Sequence, residues 1–346
     1  MAIVAGAGVW GCTIARCLAE KGEHVLVLER RSAIGGNVRC EMDAQTGIEV
    51  HSYGSHIFHT SNEAVWNFVC RFVSFNDYRH VVLSKCGGKI YHLPFGCTLL
   101  KEFFGRDLKP SELTQADREA VFNTFIRGYT SKQWGVPPEK VDPAVIARLK
   151  VRDSYSTNYF DDPYQGIPIE GYNKLFENLL NHPNIEVQCG RAFSLADMDA
   201  LAKGQTVYYS GPIDQLFDYK FGPLPWRSLR FEFERLDVGT YQESSVVNYP
   251  EVEVPYTRIH EFKHYHPEDQ KQFKLQSTII CREYPQAWKV GDEPYYPINN
   301  QESAQLLAKY QDVAREIPNL VVGGRLGAFR YYDIDQAIAA ALTLIG

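Results

Sequence analysis

The chain has 346 residues, room for two or three domains or one large discontinuous one, and 45% of them are hydrophobic, enough for extended cores. A formal net charge of −6 argues against a general nucleic-acid surface, so an anionic ligand must be met by a few local arginines. The eight cysteines show no CxxC and no Cys/His spacing typical of zinc, and neither a leader nor an apolar run long enough for a bilayer is found, so the expectation is a cytoplasmic chain in a reducing compartment with no metal centre and no membrane insertion.

The chain opens on IVAGAGVWG (3–11), a short apolar run that breaks into Gly6, Gly8 and Gly11. A helical stretch follows, then the apolar run HVLVL ending on Glu29. Strand, glycine turn, helix, strand and acid in this order predict a dinucleotide site: Gly6 for the tight turn, Gly8 for close approach of a pyrophosphate, Gly11 for close packing of helix on strand, and Glu29 for ribose hydroxyls. A second glycine pair just beyond the acid, Ile34-Gly35-Gly36-Asn37, favours FAD over NAD, because it lets the chain double back near the cofactor with no Cβ in the way.

An alternating segment leads into YGSHIFHT (53–60), and 61–72 has helical spacing. Residues 77–93 read as a hairpin turning at Cys86-Gly87-Gly88. From 97 to about 150 the pattern is helical, with a polar break at RDLKPSELTQADRE. A capped helix is expected within 168–183, strands at IEVQCG and TVYYSGP, and an antiparallel sheet from the strand-like runs between 229 and 290. A helix (301–317), a strand (319–324), a Gly-Gly-Arg turn and an amphipathic helix (333–345) would close the dinucleotide domain begun at residue 1.

Six unusual strings occur together: YGSHIFHT, GYTSKQWG (128–135), NYF (158–160), VPYTRI (254–259), EPYYPI (293–298) and GRLGAFRYYDID (324–335). In that order they resemble the UDP-galactopyranose mutases, and the resemblance runs from end to end. It implies an α/β fold with a discontinuous Rossmann-type FAD-binding domain (1–75, 172–222, 301–346), a helical domain carrying a mobile substrate loop (97–171) and an antiparallel sheet domain (76–96, 223–300). It implies an isomerase in which reduced flavin interconverts the pyranose and furanose forms of UDP-galactose without net redox change, N5 attacking C1 of the sugar while UDP stays bound as leaving group and later nucleophile.

Residue by residue, the resemblance implies that Arg148 and Arg258 face the diphosphate, Arg152 competing for the place of Arg148 within IARLKVRDSY. Tyr159, Tyr296 and Tyr331 match tyrosines near the phosphates, with Tyr295 competing for the place of Tyr296. Phe125, Tyr129, Thr130 and Trp134 match the uridine-binding part, where an aromatic face stacks on uracil. His56 and Ile57 belong to a loop against the flavin, and His59 is a flavin and sugar contact rather than an acid–base catalyst. The His56/His59 spacing also admits a metal, but no other ligand cluster supports it. Trp10, Arg30, Gly36, Asn37, Gly324 and Arg325 complete the cofactor set. Asp333 faces the flavin and sugar or simply caps the last helix, and Asn248 is a sugar contact.

Two features depart from the family pattern. The segment between Pro94 and Phe122 is short, which bears on lid motion and on whether a homodimer forms. Ser55 stands where proline is common before HIFH, at a place where sugar preference is set. The alternatives are a mutase acting on a related nucleotide sugar, a flavin oxidoreductase on the same scaffold, and a non-catalytic binder.

Overall fold

The computed structural model describes residues 1–141 and 151–346. Its cofactor side is a five-stranded parallel sheet in the order Leu320–Val322, Val207–Tyr209, Ala2–Ala5, Val25–Glu29, Ile185–Cys189. Ala2–Ala5 and Val25–Glu29 are buried along their whole length, which is why they read as unbroken apolar runs rather than alternating ones. The helix Val9–Glu20 covers one face and buries Ile14 and Leu18, each worth roughly 1.5–3 kcal/mol of transfer free energy. The last helix, Ile334–Ile345, packs on it, and Tyr172–Leu180 lies against its other flank. The opposite face of the sheet is closed by Phe193, Ile213, Leu216, Trp226, Tyr310 and Phe329.

The second sheet has seven strands in the order Tyr296–Pro297, Trp226–Leu236, Thr278–Ala287, Arg258–Glu261, Val246–Asn248, Val82–Cys86, Lys89–Leu93. The expected hairpin is present, and its two-residue loop places Gly87 and Gly88 at φ of +57° and +74°, a turn whose twist matches the strands. The expectation of a purely antiparallel sheet is corrected: Val246–Asn248 runs parallel to Val82–Ser84, because the strands come from distant parts of the chain. Two local readings are also corrected. Residues 164–166, assigned to the helical domain, form a strand paired with Phe58–Thr60. The Gly-Gly-Arg turn is instead the start of a one-turn helix, Gly324–Gly327.

The helical layer consists of Cys97–Phe104, Gln115–Val121 and Gly128–Trp134, with a π-helical turn at Phe122–Arg127. Its starts follow local rules. Thr114 accepts from Asp117 N–H while Asp117 accepts from Thr114 N–H, a reciprocal cap. Among the described residues no helix is long and apolar enough to cross a membrane.

Candidate active site

A cleft of about 1410 Å³ opens at the carboxyl ends of the parallel strands, beside Ala5, Glu29 and Tyr209, where open α/β sheets bind ligands. It exceeds the roughly 300–1,000 Å³ of a site for one small molecule, so there is space for two ligands side by side. Apart from Arg148, which lies outside the described residues, and Gly11, every candidate named from the sequence lines this cleft.

The glycines shape its dinucleotide end. Gly6 has φ +110°, and a Cβ there would meet Ser210 Oγ at 2.2 Å. Gly8 caps the helix Val9–Glu20, and a Cβ on Gly36 would come within 2.9 Å of Gly8 Cα, so the two backbones leave a bare trough. Gly11 sits beneath this surface and does the packing expected of it: a Cβ would fall 1.9 Å from Gly6 O. Glu29 is buried, accepting N–H bonds from Ala7 and Arg31, each at 2.8 Å, which ties the glycine turn to the acid. Arg30 lines the cleft with its guanidinium held by both Glu293 oxygens, and Asn37 accepts from Arg31 at 2.8 Å. These two are braced by the protein itself, a role that spacing does not reveal. Trp10 packs under Gly323 and Gly324.

The closing segment provides the sharper test of whether a flavin suits this cleft. Arg325 lies 4.6 Å from the Tyr331 ring centroid and 5.5 Å from that of Tyr296, yet its Nε and Nη2 are buried without an acceptor. His56 Nδ1 is likewise buried and unpartnered, while its backbone N–H donates to His51 Nδ1 at 3.0 Å. Burial, reinforced by the Arg325 charge, pushes the His56 imidazole down to about 4, so it is neutral near pH 7. Buried polar atoms of this kind are costly to leave unpaired, so this wall suits a ligand that brings its own donors and acceptors. A flavin ring edge has that character, and the trough at Gly6, Gly8 and Gly36 suits its pyrophosphate. Ile57 and Gly324 lie along the same wall, and Asp333 occupies the N-cap position of the last helix, its N–H donating to Gln336 Oε1 at 3.1 Å.

The facing wall is built largely by the seven-stranded sheet. Arg258 pairs through Nε with Glu283 Oε1 at 2.9 Å, a cross-strand contact, and Glu283 is 2% exposed. Glu283 Oε2 accepts from His260 Nε2 at 3.1 Å, and Ser55 Oγ lies 2.5 Å from His260 Nδ1, an arrangement that assigns the proton of neutral His260 to Nε2. The Arg258 charge, followed by the His260 hydrogen bond, holds the Glu283 carboxyl down against the opposing effect of burial. Glu283 was invisible as a site residue, because only antiparallel register sets it opposite Arg258; His260, two residues along the strand from Arg258, reaches the site through its bond to Glu283.

Trp134 and Tyr296 stand 6.1 Å apart, and Tyr296 and Tyr331 5.5 Å apart, which joins the helical layer to the closing segment. Burial raises the phenols of Tyr129 and Tyr296 well above their ordinary range, so both remain protonated donors. Tyr295, the competitor of Tyr296, also lines the cleft but packs against Phe231. Phe125 sits on the π-helical turn and is mainly an aromatic core residue, edge-on to Tyr91 and Phe103. Thr130 is buried, and Asn248 Oδ1 is buried without a partner. Arg152, the competitor of Arg148, is used by its own loop, donating to the carbonyls of Asn158 and Tyr159 at 2.7 Å each. Tyr159 donates its N–H to His80 O at 2.7 Å. His59 stacks on Phe160 at 3.6 Å and bonds through Nδ1 to Asp162 at 2.7 Å, a partner that sequence spacing did not suggest. Neither His56 nor His59 joins a grouping of potential metal ligands among the described residues.

A parallel sheet with a bare glycine trough at its carboxyl end, in a cleft roomy enough for a second ligand, defines a Rossmann-type, dinucleotide-dependent enzyme. Residues 4–72 match the NAD(P)-binding Rossmann-like domain model, and residues 124–331 match the UDP-galactopyranose mutase model. The chain is 36% identical to dTDP-fucopyranose mutase of Escherichia coli, over 98% of this chain and 96% of that protein. It is also 36% identical to a probable UDP-galactopyranose mutase of Klebsiella pneumoniae, over 98% of this chain and 92% of that protein. A crystal structure of reduced UDP-galactopyranose mutase superposes with a TM-score of 0.73 at 16% identity, covering 99% of this chain and 94% of that one. The chain belongs to the UDP-galactopyranose mutase family, and it is an isomerase.

Proposed function

We propose that this enzyme interconverts UDP-galactopyranose and UDP-galactofuranose on bound, reduced FAD. The observation that carries the reading is Arg258: a cation set by buried Glu283 in a cleft whose opposite wall is shaped for a dinucleotide. Nε is occupied by Glu283, so the Nη edge of the guanidinium is left for diphosphate oxygens. Tyr296 donates a phenolic hydrogen bond beside it without adding charge. Ring contraction needs a nucleophile at the anomeric carbon, and among the described residues no side chain in the cleft stands out for it. The reduced flavin supplies that nucleophile when bound.

The protein's part is to keep UDP in place between its departure from C1 and its return, which makes the second step effectively intramolecular. The charge on the departing diphosphate is met by an arginine already oriented, so little reorganisation is needed. The FAD reading is supported by the second glycine pair, since Gly35 and Gly36 both take positive φ and Gly36 abuts Gly8.

A related deoxy sugar on dTDP is the second reading, favoured by the 36% identity to the Escherichia coli dTDP-fucopyranose mutase and by Ser55 in the flavin loop. The test is anaerobic incubation of dithionite-reduced protein with UDP-galactofuranose or dTDP-fucofuranose, followed by chromatographic separation of the ring forms. Conversion of the first supports the proposal, and conversion of the second alone moves the assignment to the deoxy sugar. Consumption of one NADPH per turnover would replace both with an ordinary oxidoreductase.

A further inference from the structure

Lys132 lies in GYTSKQWG, between Thr130 and Trp134, both expected to meet the nucleotide, and no role has yet been assigned to it. Its Nζ donates to four backbone carbonyls: Tyr249 at 2.6 Å, Tyr256 at 2.8 Å, and Glu251 and Val254 at 2.9 Å each. Among the described residues it makes no ion pair with a carboxylate. An ammonium has three protons for these four acceptors, so the cage satisfies it by shared bonds and a converging set of carbonyl dipoles.

The caged segment joins two strands that both face the cleft, Val246–Asn248 and Arg258–Glu261. Tyr249 N–H closes that loop on Thr257 O at 2.8 Å. Lys132 therefore ties the helix carrying Thr130 and Trp134 to the loop between Asn248 and Arg258. The same helix is held at both ends. At its start, a Cβ on Gly128 would meet Pro250 O at 2.2 Å, so glycine permits a close approach to the caged loop. At its end, Arg227 donates from Nε to Gln133 O at 2.9 Å and from Nη2 to Lys132 O at 3.2 Å, capping carbonyls the helix leaves open.

We propose that Lys132 is a positioning residue whose ammonium, keyed into the four-carbonyl cage, fixes the Thr130/Trp134 helix against the strands bearing Asn248 and Arg258 and so sets nucleotide affinity. The nucleotide part rests on the functional reading above; the cage itself does not. A seven-residue helix preceded by a π-helical turn has little stability of its own, so its place depends on such tethers.

The experiment replaces Lys132→Ala and restores the missing atoms with propylammonium, which matches the three methylenes and amine removed. Tetramethylammonium, equal in charge but without N–H donors, is the control. Hydrogen exchange is followed in residues 128–134 and 249–257 of the free protein, together with UDP affinity by titration calorimetry and flavin content by absorbance. The variant should lose protection in both segments and about tenfold or more in UDP affinity while keeping its flavin, a shift of the size produced by one lost ordering contact. Propylammonium should restore protection and affinity, and tetramethylammonium should not. Protection and UDP affinity unchanged by the substitution would overturn the proposal, as would losses that propylammonium does not reverse. A wild-type protein with no UDP affinity would sink the functional reading instead, and the amine-dependent exchange would still decide the cage.

Discussion

Replacing Glu283→Gln removes one charge while keeping the shape of the side chain. Two bonds change: the one from Arg258 Nε at 2.9 Å and the one from His260 Nε2 at 3.1 Å. At a charge separation of about 4 Å and an effective dielectric near 20, the lost attraction to Arg258 is about 4 kcal/mol. That agrees with the roughly 3–5 kcal/mol typical of breaking a buried pair from one side. Arg258 keeps 26% of its side chain exposed in the cleft, so solvent recovers part of the loss and roughly 2–4 kcal/mol is expected. At about 2 °C per kcal/mol for a chain of this size, the melting temperature should fall by about 4–8 °C. On the role proposed for Arg258, turnover should fall more than stability requires, by about a hundredfold, because a guanidinium displaced by an ångström would no longer meet a departing diphosphate. The assays are thermal unfolding and anaerobic turnover with flavin content matched to wild type. A variant that melts within 1 °C of wild type (well below the ~4 °C expected) and turns over within about twofold would refute the claim that Glu283 sets Arg258.

Arg258→Ala should largely abolish turnover while leaving flavin bound, and a near-normal rate in anaerobic assays would remove Arg258 from the site. Gly11→Ala should lose flavin, since its Cβ would fall 1.9 Å from Gly6 O and force the helix Val9–Glu20 away from the glycine turn; the flavin-to-protein absorbance ratio checks this. Burial depresses His56 to about 4 and His51 and His80 each to about 3. Their folded values lie below the unfolded 6.5, so the unfolded chain takes up protons first. Stability is therefore full above pH 6.5 and is lost as pH falls toward 4, with His56 alone accounting for roughly 3 kcal/mol. Urea midpoints at pH 7 and pH 4.5 test this; an unchanged midpoint would contradict it. His266, raised by its bonds to Glu49 and Glu268, works the other way: its contribution is present below pH 6.5 and fades as pH rises.

What was legible in the chain was mostly local. The glycine fingerprint, the turn at Gly87-Gly88 and the last helix each depend on a few consecutive residues whose backbone needs are written in their types. The long motif strings located Arg258, Arg325 and other residues of the cleft, yet said nothing of what holds them. Glu283 reaches Arg258 only through antiparallel register, and Asp162 reaches His59 only because residues 164–166 pair with Phe58–Thr60. The parallel junction of Val246–Asn248 with Val82–Ser84 was missed for the same reason: local composition carries no record of which strand becomes the neighbour. Phe125 shows a different limit, since an aromatic that packs and one that stacks on a base look alike in sequence.

The order of strands in the parallel sheet also bears on how the protein is made. Ala2–Ala5 lies between Val25–Glu29 and Val207–Tyr209, and Val207–Tyr209 in turn waits for Leu320–Val322. At about 5–20 residues per second on a ribosome, the first strand would emerge roughly 15 to 60 s before the last. Through that interval the apolar face of Val9–Glu20 lacks its final cover, the helix Ile334–Ile345. Nascent chains of this protein should therefore depend on chaperones until that helix has emerged, and a dinucleotide cannot be captured in its finished cradle before the ribosome has passed Gly324 and Arg325.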